Sequence, residues 1–241
     1  MSLDADDVLA RAIDRHGGLE AYRAIDAIHL GLVSFGGPLM RLKGLGVTFR
    51  KADRVVVRPH DGVVAFDVAG EELTYERGAV TSAVGRSDRH RRTFVGLGKL
   101  RLWSQVDACY FLGYALLDYL RQPFLLRDVE IVGHDASADG GAWVEARFPD
   151  DADTHCGIQR FHFDRTGLLV RHDYTADILG RVFTGAHFSA DYDETHALPV
   201  ARGRRVLARL GTVVTPLIAL AARLEVEAVE RRTPPLPGFP P

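Results

Sequence analysis

Two stretches of this 241-residue chain carry side chains whose types and spacing could do chemistry. The first is a hairpin centred on Asp164-Arg165-Thr166-Gly167. A two-residue loop there sets Phe163 opposite Leu168, Phe161 opposite Val170 and Gln159 opposite His172. One face of the pair is then Gln159, Phe161, Phe163, Leu168, Val170, His172 and Tyr174. The other is Arg160, His162, Leu169, Arg171 and Asp173, largely charged and expected to meet solvent. His172 and Tyr174 are thereby expected at the polar end of an apolar cavity. A histidine that titrates near neutrality beside a phenolic donor could act as base and oxyanion donor. A structural histidine bonded to a backbone carbonyl satisfies the same pattern. A bulged turn using Gly167 would break the division of faces.

The second stretch is the helical segment 103–121. At about 100° per residue, Val106, Cys109, Gly113, Leu116, Leu117 and Leu120 share one arc, an aliphatic core face. Trp103, Asp107, Tyr110, Phe111, Tyr114 and Asp118 share the adjoining arc. These aromatics and carboxylates could roof a cavity, the rings stacking on an apolar ligand and a phenol or carboxylate orienting it. Ordinary aromatic core packing, with both carboxylates in water, is the plainer reading. Asp107 and Tyr110 are the assisting groups if His172 and Tyr174 are catalytic.

His155, His172 and His187 fall on successive predicted strands and could approach one another. They lack compact ligand spacing, so no metal is expected. His155 and Cys156, adjacent on an extended segment, point to opposite sides. No phosphate-cradling glycine loop, dinucleotide fingerprint, nucleophile elbow or zincin helix occurs, and no cofactor is expected.

These side chains need a scaffold, and composition bounds it. A net charge of -2 disfavours a nucleic-acid binder, and 46% hydrophobic residues are ample for a core. The two cysteines, Cys109 and Cys156, make no disulfide framework. The acidic start, residues 1–7, reads as no secretory signal, which gives an expectation of a cytoplasmic location. The apolar run 212–222 is broken by Pro216 and too short to span a bilayer, so no transmembrane segment is expected.

Asp4 is a suitable N-cap for a helix bearing the stripe Val8, Leu9, Ala12 and Ile13, ended by Gly17 and Gly18; a short helix follows over 19–24. Strand-length runs occupy 28–35, 47–51, 54–57, 63–68 and 73–76, then 129–132, 142–148, 158–164, 168–177 and 181–191. Two more are expected near 204–208 and 224–229, the last with Leu224, Val226 and Ala228 inward. Residues 86–92 read as a basic loop and Gly36-Gly37 as a turn. Pro123 closes the central helix. Ten to twelve strands imply a highly curved antiparallel sheet that must close or be covered, the central helix being its natural cover. The expectation is one mainly β (α+β) domain over 1–233 with a Pro-rich tail, 234–241.

The order of elements resembles the half-barrel of the lipoprotein-localisation carriers (LolA/LppX-like). The opening Ala12-Ile13-Asp14-Arg15-His16-Gly17-Gly18-Leu19-Glu20 is similar to the start of many bacterial proteins of this kind. The segments 110–115 with Pro123-Phe124, 154–164 and 167–174 resemble an uncharacterised bacterial family. The resemblance implies an open antiparallel barrel around a hydrophobic cavity with helices as its lid. Binding of a hydrophobic or lipid-like small molecule is the leading expectation. The alternative is a cofactor-independent cyclase, isomerase or dehydratase acting on a hydrophobic metabolite in bacterial secondary metabolism.

Overall fold

The computed structural model describes residues 4–45, 54–68, 70–88, 102–150, 152, 154–175 and 184–233. The expected strand 47–51 and the tail 234–241 lie outside these residues. Helix α1 (Ala5–Arg15) opens on Asp4, whose carboxylate accepts from the Asp6 N–H, and buries Val8, Leu9, Ala12 and Ile13. Helix α2 (Gly18–Arg23) leads into strand β1 (Ile25–Gly36). A one-turn helix α3 (Pro38–Leu42) then follows where a simple turn was expected, Pro38 being pre-set for a first helical turn.

A first meander runs through β2 (Arg54–Arg58), β3 (Val63–Val68), β4 (Glu71–Glu76), β5 (Ala79–Ser82) and β6 (Gly85–Asp88). The last two were missed in the sequence: each has four residues and little apolar content, and β6 takes up the start of the expected basic loop. Helix α4 (Gln105–Arg121) and a 3-10 turn (Phe124–Asp128) come next. A second meander comprises β7 (Glu130–Ala136), β8 (Ala142–Arg147), β9 (Ile158–Phe163), β10 (Leu169–Thr175), β11 (Thr184–Asp193), β12 (Val200–Leu210) and β13 (Val213–Arg231).

The thirteen strands form one antiparallel sheet in the order β6-β5-β4-β3-β2-β1-β13-β12-β11-β10-β9-β8-β7. The first and last strands therefore pair at its centre, while β6 and β7 end it at opposite edges. The segment joining β6 to β7 has to cross from one edge to the other, and that is why α4 lies over the sheet. It packs chiefly on β2 to β5, in an apolar cluster that includes Tyr75, Phe66, Leu112 and Leu116. A second cluster lies under α1 and includes Val8, Leu9, Val144, Phe161 and Phe163.

One bulge in β13 corrects an expected face, and a second irregularity accommodates Pro216. A register shift in the β1–β13 pairing brings Val229, not Ala228, to the packed side alongside Leu224 and Val226. Pro216 sits inside β13, beyond the last β1 partner at Ala221 and opposite a break in the β12 ladder. No sheet hydrogen bond is lost to its missing N–H.

Gly113 sets how closely α4 approaches the sheet. A Cβ there would stand 2.5 Å from Cγ and 2.7 Å from Cβ of the fully buried Tyr75. Gly113→Ala gains about 1 kcal/mol of helix propensity but forces the helix off its seat. With overpacking costing about 1–3 kcal/mol, a net loss of up to about 2 kcal/mol is expected in urea unfolding. An unchanged or raised midpoint would show that the contact has slack.

Candidate functional site

The hairpin β9–β10 does not use the two-residue loop. The Asp164 N–H bonds the Leu168 carbonyl, and Gly167 takes φ +94°. Phe163 faces Leu169 rather than Leu168, and Leu169 is buried rather than outward. A second register break between Leu169 and Arg171 follows, after which Phe161 faces His172 and Arg160 faces Asp173. Each one-residue slip reverses the face of every later side chain, so two slips restore it. His172 and Tyr174 thus point inward as expected, through a different register.

His172 is 4% exposed and held from three sides. Gln159 donates from Nε2 to Thr154 Oγ1 (2.8 Å) and to the Cys156 carbonyl (2.9 Å), which turns its Oε1 toward the imidazole. His172 Nε2–H donates to that oxygen at 2.6 Å. Its Nδ1 faces Gln122 Nε2 at 3.4 Å, and the same amide donates to Asp118 Oδ2 at 2.7 Å. The ring stacks on Phe161 at 4.4 Å. Burial pushes the imidazole down to about 3, so it is neutral near neutral pH. Burial likewise raises the phenol of Tyr174 well above its ordinary value and keeps it protonated.

Two adjoining cavities lie between α4 and β9 to β13. A polar one of about 40 Å³ is lined by Tyr114, Asp118, His155, Gln159, His172 and Tyr174, among others. An apolar one of about 200 Å³ is lined by Leu39, Phe111, Tyr119, Tyr174, Val206 and Leu220, among others. Phe111, Tyr119 and Tyr174 border both. Leu42 and Leu217 also line the apolar cavity while 68% and 61% exposed, which makes its mouth apolar.

The other expected site residues stand around this centre. The Tyr110 hydroxyl meets His155 Nε2 at 2.6 Å. His187 pairs with His172 across β10–β11 and packs edge-on to Tyr119 at 4.6 Å. Trp103 precedes α4 and packs on Phe111. Phe161 and Phe163, expected on the cavity wall, line neither cavity and belong instead to the cluster under α1, Phe161 reaching the site through its stack on His172.

Asp107 is a correction. It lines neither cavity, and its carboxylate caps α4 by accepting from Ser104 N (2.9 Å) and Ser104 Oγ (2.8 Å). Asp118, read either as roofing a cavity or as lying in water, is part of the polar cavity. His162 lies on the outer face with Asp173, as expected, and meets that carboxylate at 3.2 Å as well as solvent.

Sequence reasoning missed Tyr119, Gln122 and Arg204. Tyr119 falls outside both helical arcs, and Arg204 sits in a strand with Arg202, Arg205 and Arg209 and reads as another surface charge. Among the described residues no three His, Cys, Asp or Glu side chains gather closely enough to hold a metal ion.

A curved antiparallel sheet, open at both edges and covered by a helix over an apolar cavity, defines a half-barrel. The fold is LolA-like. A LolA superfamily protein from Nitrosomonas europaea, NE2245, superposes with a TM-score of 0.53 over 98% of this chain and 96% of that one, at 11% identity. A DUF1329 family protein from Desulfovibrio piger aligns over 94% of this chain and 92% of its own, with a TM-score of 0.39 and 12% identity. No family model matches the chain, and no curated protein matches it.

Proposed function

We propose that the protein binds a hydrophobic or lipid-like small molecule in the apolar cavity beneath α4. The observation that carries this reading is the 200 Å³ cavity itself, walled by aliphatic and aromatic side chains and opening between α3 and the β12–β13 hairpin. Its mouth exposes Leu42, Leu217 and Ile218, surface that otherwise costs solvation. No helix among the described residues is long and apolar enough to cross a membrane. The site favours binding over proton-transfer catalysis. Both nitrogens of His172 face protein partners, and an imidazole depressed to about 3 is a poor base near neutrality.

The test is titration with a neutral fluorescent hydrophobe such as Nile red. Saturable 1:1 binding is expected. Ala208→Trp, which projects an indole into the cavity from β12, should weaken it at least about tenfold at unchanged melting temperature. Absence of saturable binding to the folded wild type, or equal binding by the variant, would overturn the reading.

A further inference from the structure

Beyond Tyr119, on the far side from the apolar cavity, lies a third and smaller cavity of about 20 Å³. Tyr119 is common to the linings of all three. Arg204 and His16 project into this inner space, 4% and 3% exposed. The guanidinium of Arg204 lies over the Tyr119 ring at 4.1 Å and donates once, from Nη1 to Ser189 Oγ at 3.2 Å. Its Nε has no hydrogen-bond partner among the described residues, nor does it have a carboxylate in ion-pair contact. Asp118 acts on it only from farther away.

An arginine offers five N–H donors and stays protonated in any protein setting. Burying it without a counter-charge costs several kcal/mol. Its neighbours do not supply the missing anion. His16 donates through Nδ1 to the Ala12 carbonyl at 2.7 Å, leaving Nε2 bare, and His187 Nε2 is also without a partner. Both are neutral near neutral pH because burial lowers them. Among the described residues one uncompensated positive charge therefore remains, in the small cavity across Tyr119 from the apolar one.

The strand aims this charge along the cavity. Side chains two apart on a strand share a face and stand about 7 Å apart. Arg204, Val206 and Ala208 form such a row on β12, and the latter two line the apolar cavity. A chain lying along Val206 and Ala208 brings its inner end to Tyr119 and Arg204. A single charge matches a monoanion, and the fork of a guanidinium matches a planar carboxylate in size and geometry.

We propose that the cavity takes an apolar chain ending in a carboxylate, the class of a long-chain fatty acid, with the carboxylate seated on Arg204 where Tyr119 turns aside. This deepens the binding reading above and rests on it. Arg204 supplies the charge, and Tyr119 separates the anionic end from the apolar remainder until the ligand is in place.

The experiment compares dodecanoate, 1-dodecanol and dodecyl phosphate by Nile red displacement on the full chain, wild type and Arg204→Met. Dodecanoate is expected to bind wild type at least about 30-fold more tightly than 1-dodecanol. Arg204→Met should erase that difference while leaving 1-dodecanol binding in place. Replacing a buried ion with an apolar side chain of similar volume is commonly neutral or stabilising, so the variant is expected to fold. Should it not fold, the wild-type acid-to-alcohol ratio still decides. Equal binding of acid and alcohol overturns this inference and leaves the hydrophobic cavity intact. Tighter binding of dodecyl phosphate overturns the carboxylate assignment. Failure of all three amphiphiles and of the dye overturns the binding reading itself.

Discussion

Acidification from pH 6.5 toward 4 is expected to remove up to about 4 kcal/mol of stability per pH unit, steepest near pH 5. Three buried histidines account for it. Burial lowers His172 to about 3 and His16 to about 4, and it takes His187 well below its ordinary value. The positive charge of Arg204 pushes all three in the same direction. Asp173 opposes it at His172 and Asp164 at His16, without reversing the shift.

In this window the unfolded chain binds protons at these positions and the native chain does not. Stability therefore rises with pH, by about 1.4 kcal/mol per unit for each histidine. It is fully present above the unfolded value near 6.5, falls as pH drops, and stops falling at the folded values. Against a total of about 5–15 kcal/mol, acid unfolding should begin well above the carboxylate range. Urea midpoints at pH 7.5, 6.0 and 5.0 measure the slope. His172→Gln should reduce it by about a third, and a flat profile over that range would show that the three sites are hydrated or paired when folded.

Asp173→Ala is expected to cost about 3 kcal/mol, the largest single-residue effect on the outer face of the sheet. Asp173 is 5% exposed although it points away from the cavity. Arg171 donates to it twice at 2.7 Å, Arg209 Nη1 reaches it at 2.5 Å and His162 at 3.2 Å. Burial alone would raise this carboxyl. The hydrogen bonds from His162 and Arg171 and the charges of Arg171 and Arg209 outweigh it and hold the group far below the usual carboxylate range. The cluster ties β9, β10 and β12 together across β11. Removing the carboxylate leaves its cations facing one another in a half-buried site. Because Arg171 and Arg209 are themselves about one-fifth exposed, the loss belongs at the lower end of the range for a broken buried pair. Arg160→Ala, which frees the more exposed Glu145, provides the contrast at under about 1 kcal/mol. Equal urea midpoints for the two variants would count against the cluster.

The sequence carried the fold well where periodicity and punctuation agree. The β3 boundaries, the Asp4 cap and the closure of α4 before Pro123 follow from local chemistry, and the curved sheet follows from the number of short strands. Register was not legible. Gly167 and the break at Val170 each shift the β9–β10 ladder, and only their cancellation preserves the inward faces of His172 and Tyr174. Asp107 shows a different limit. Helical angle placed it on the aromatic arc, but a carboxylate three residues after a serine N-cap is also a capping box, and that is the role it takes. Arg204 and Tyr119 could not be found by pattern, because the burial of a charge depends on which long-range elements cover it.

The strand order ends at β6 and β7, which do not bond to each other. In a closed barrel, strand number and shear together fix the radius. Among the described residues no ring of hydrogen bonds imposes one, and the curvature of the wall rests on the side chains wedged between the sheet and α4. On the binding reading proposed above, such a container would be elastic, a longer guest flattening the wall slightly instead of meeting a rigid limit. The open seam would then exchange sharp discrimination by guest length for tolerance of it.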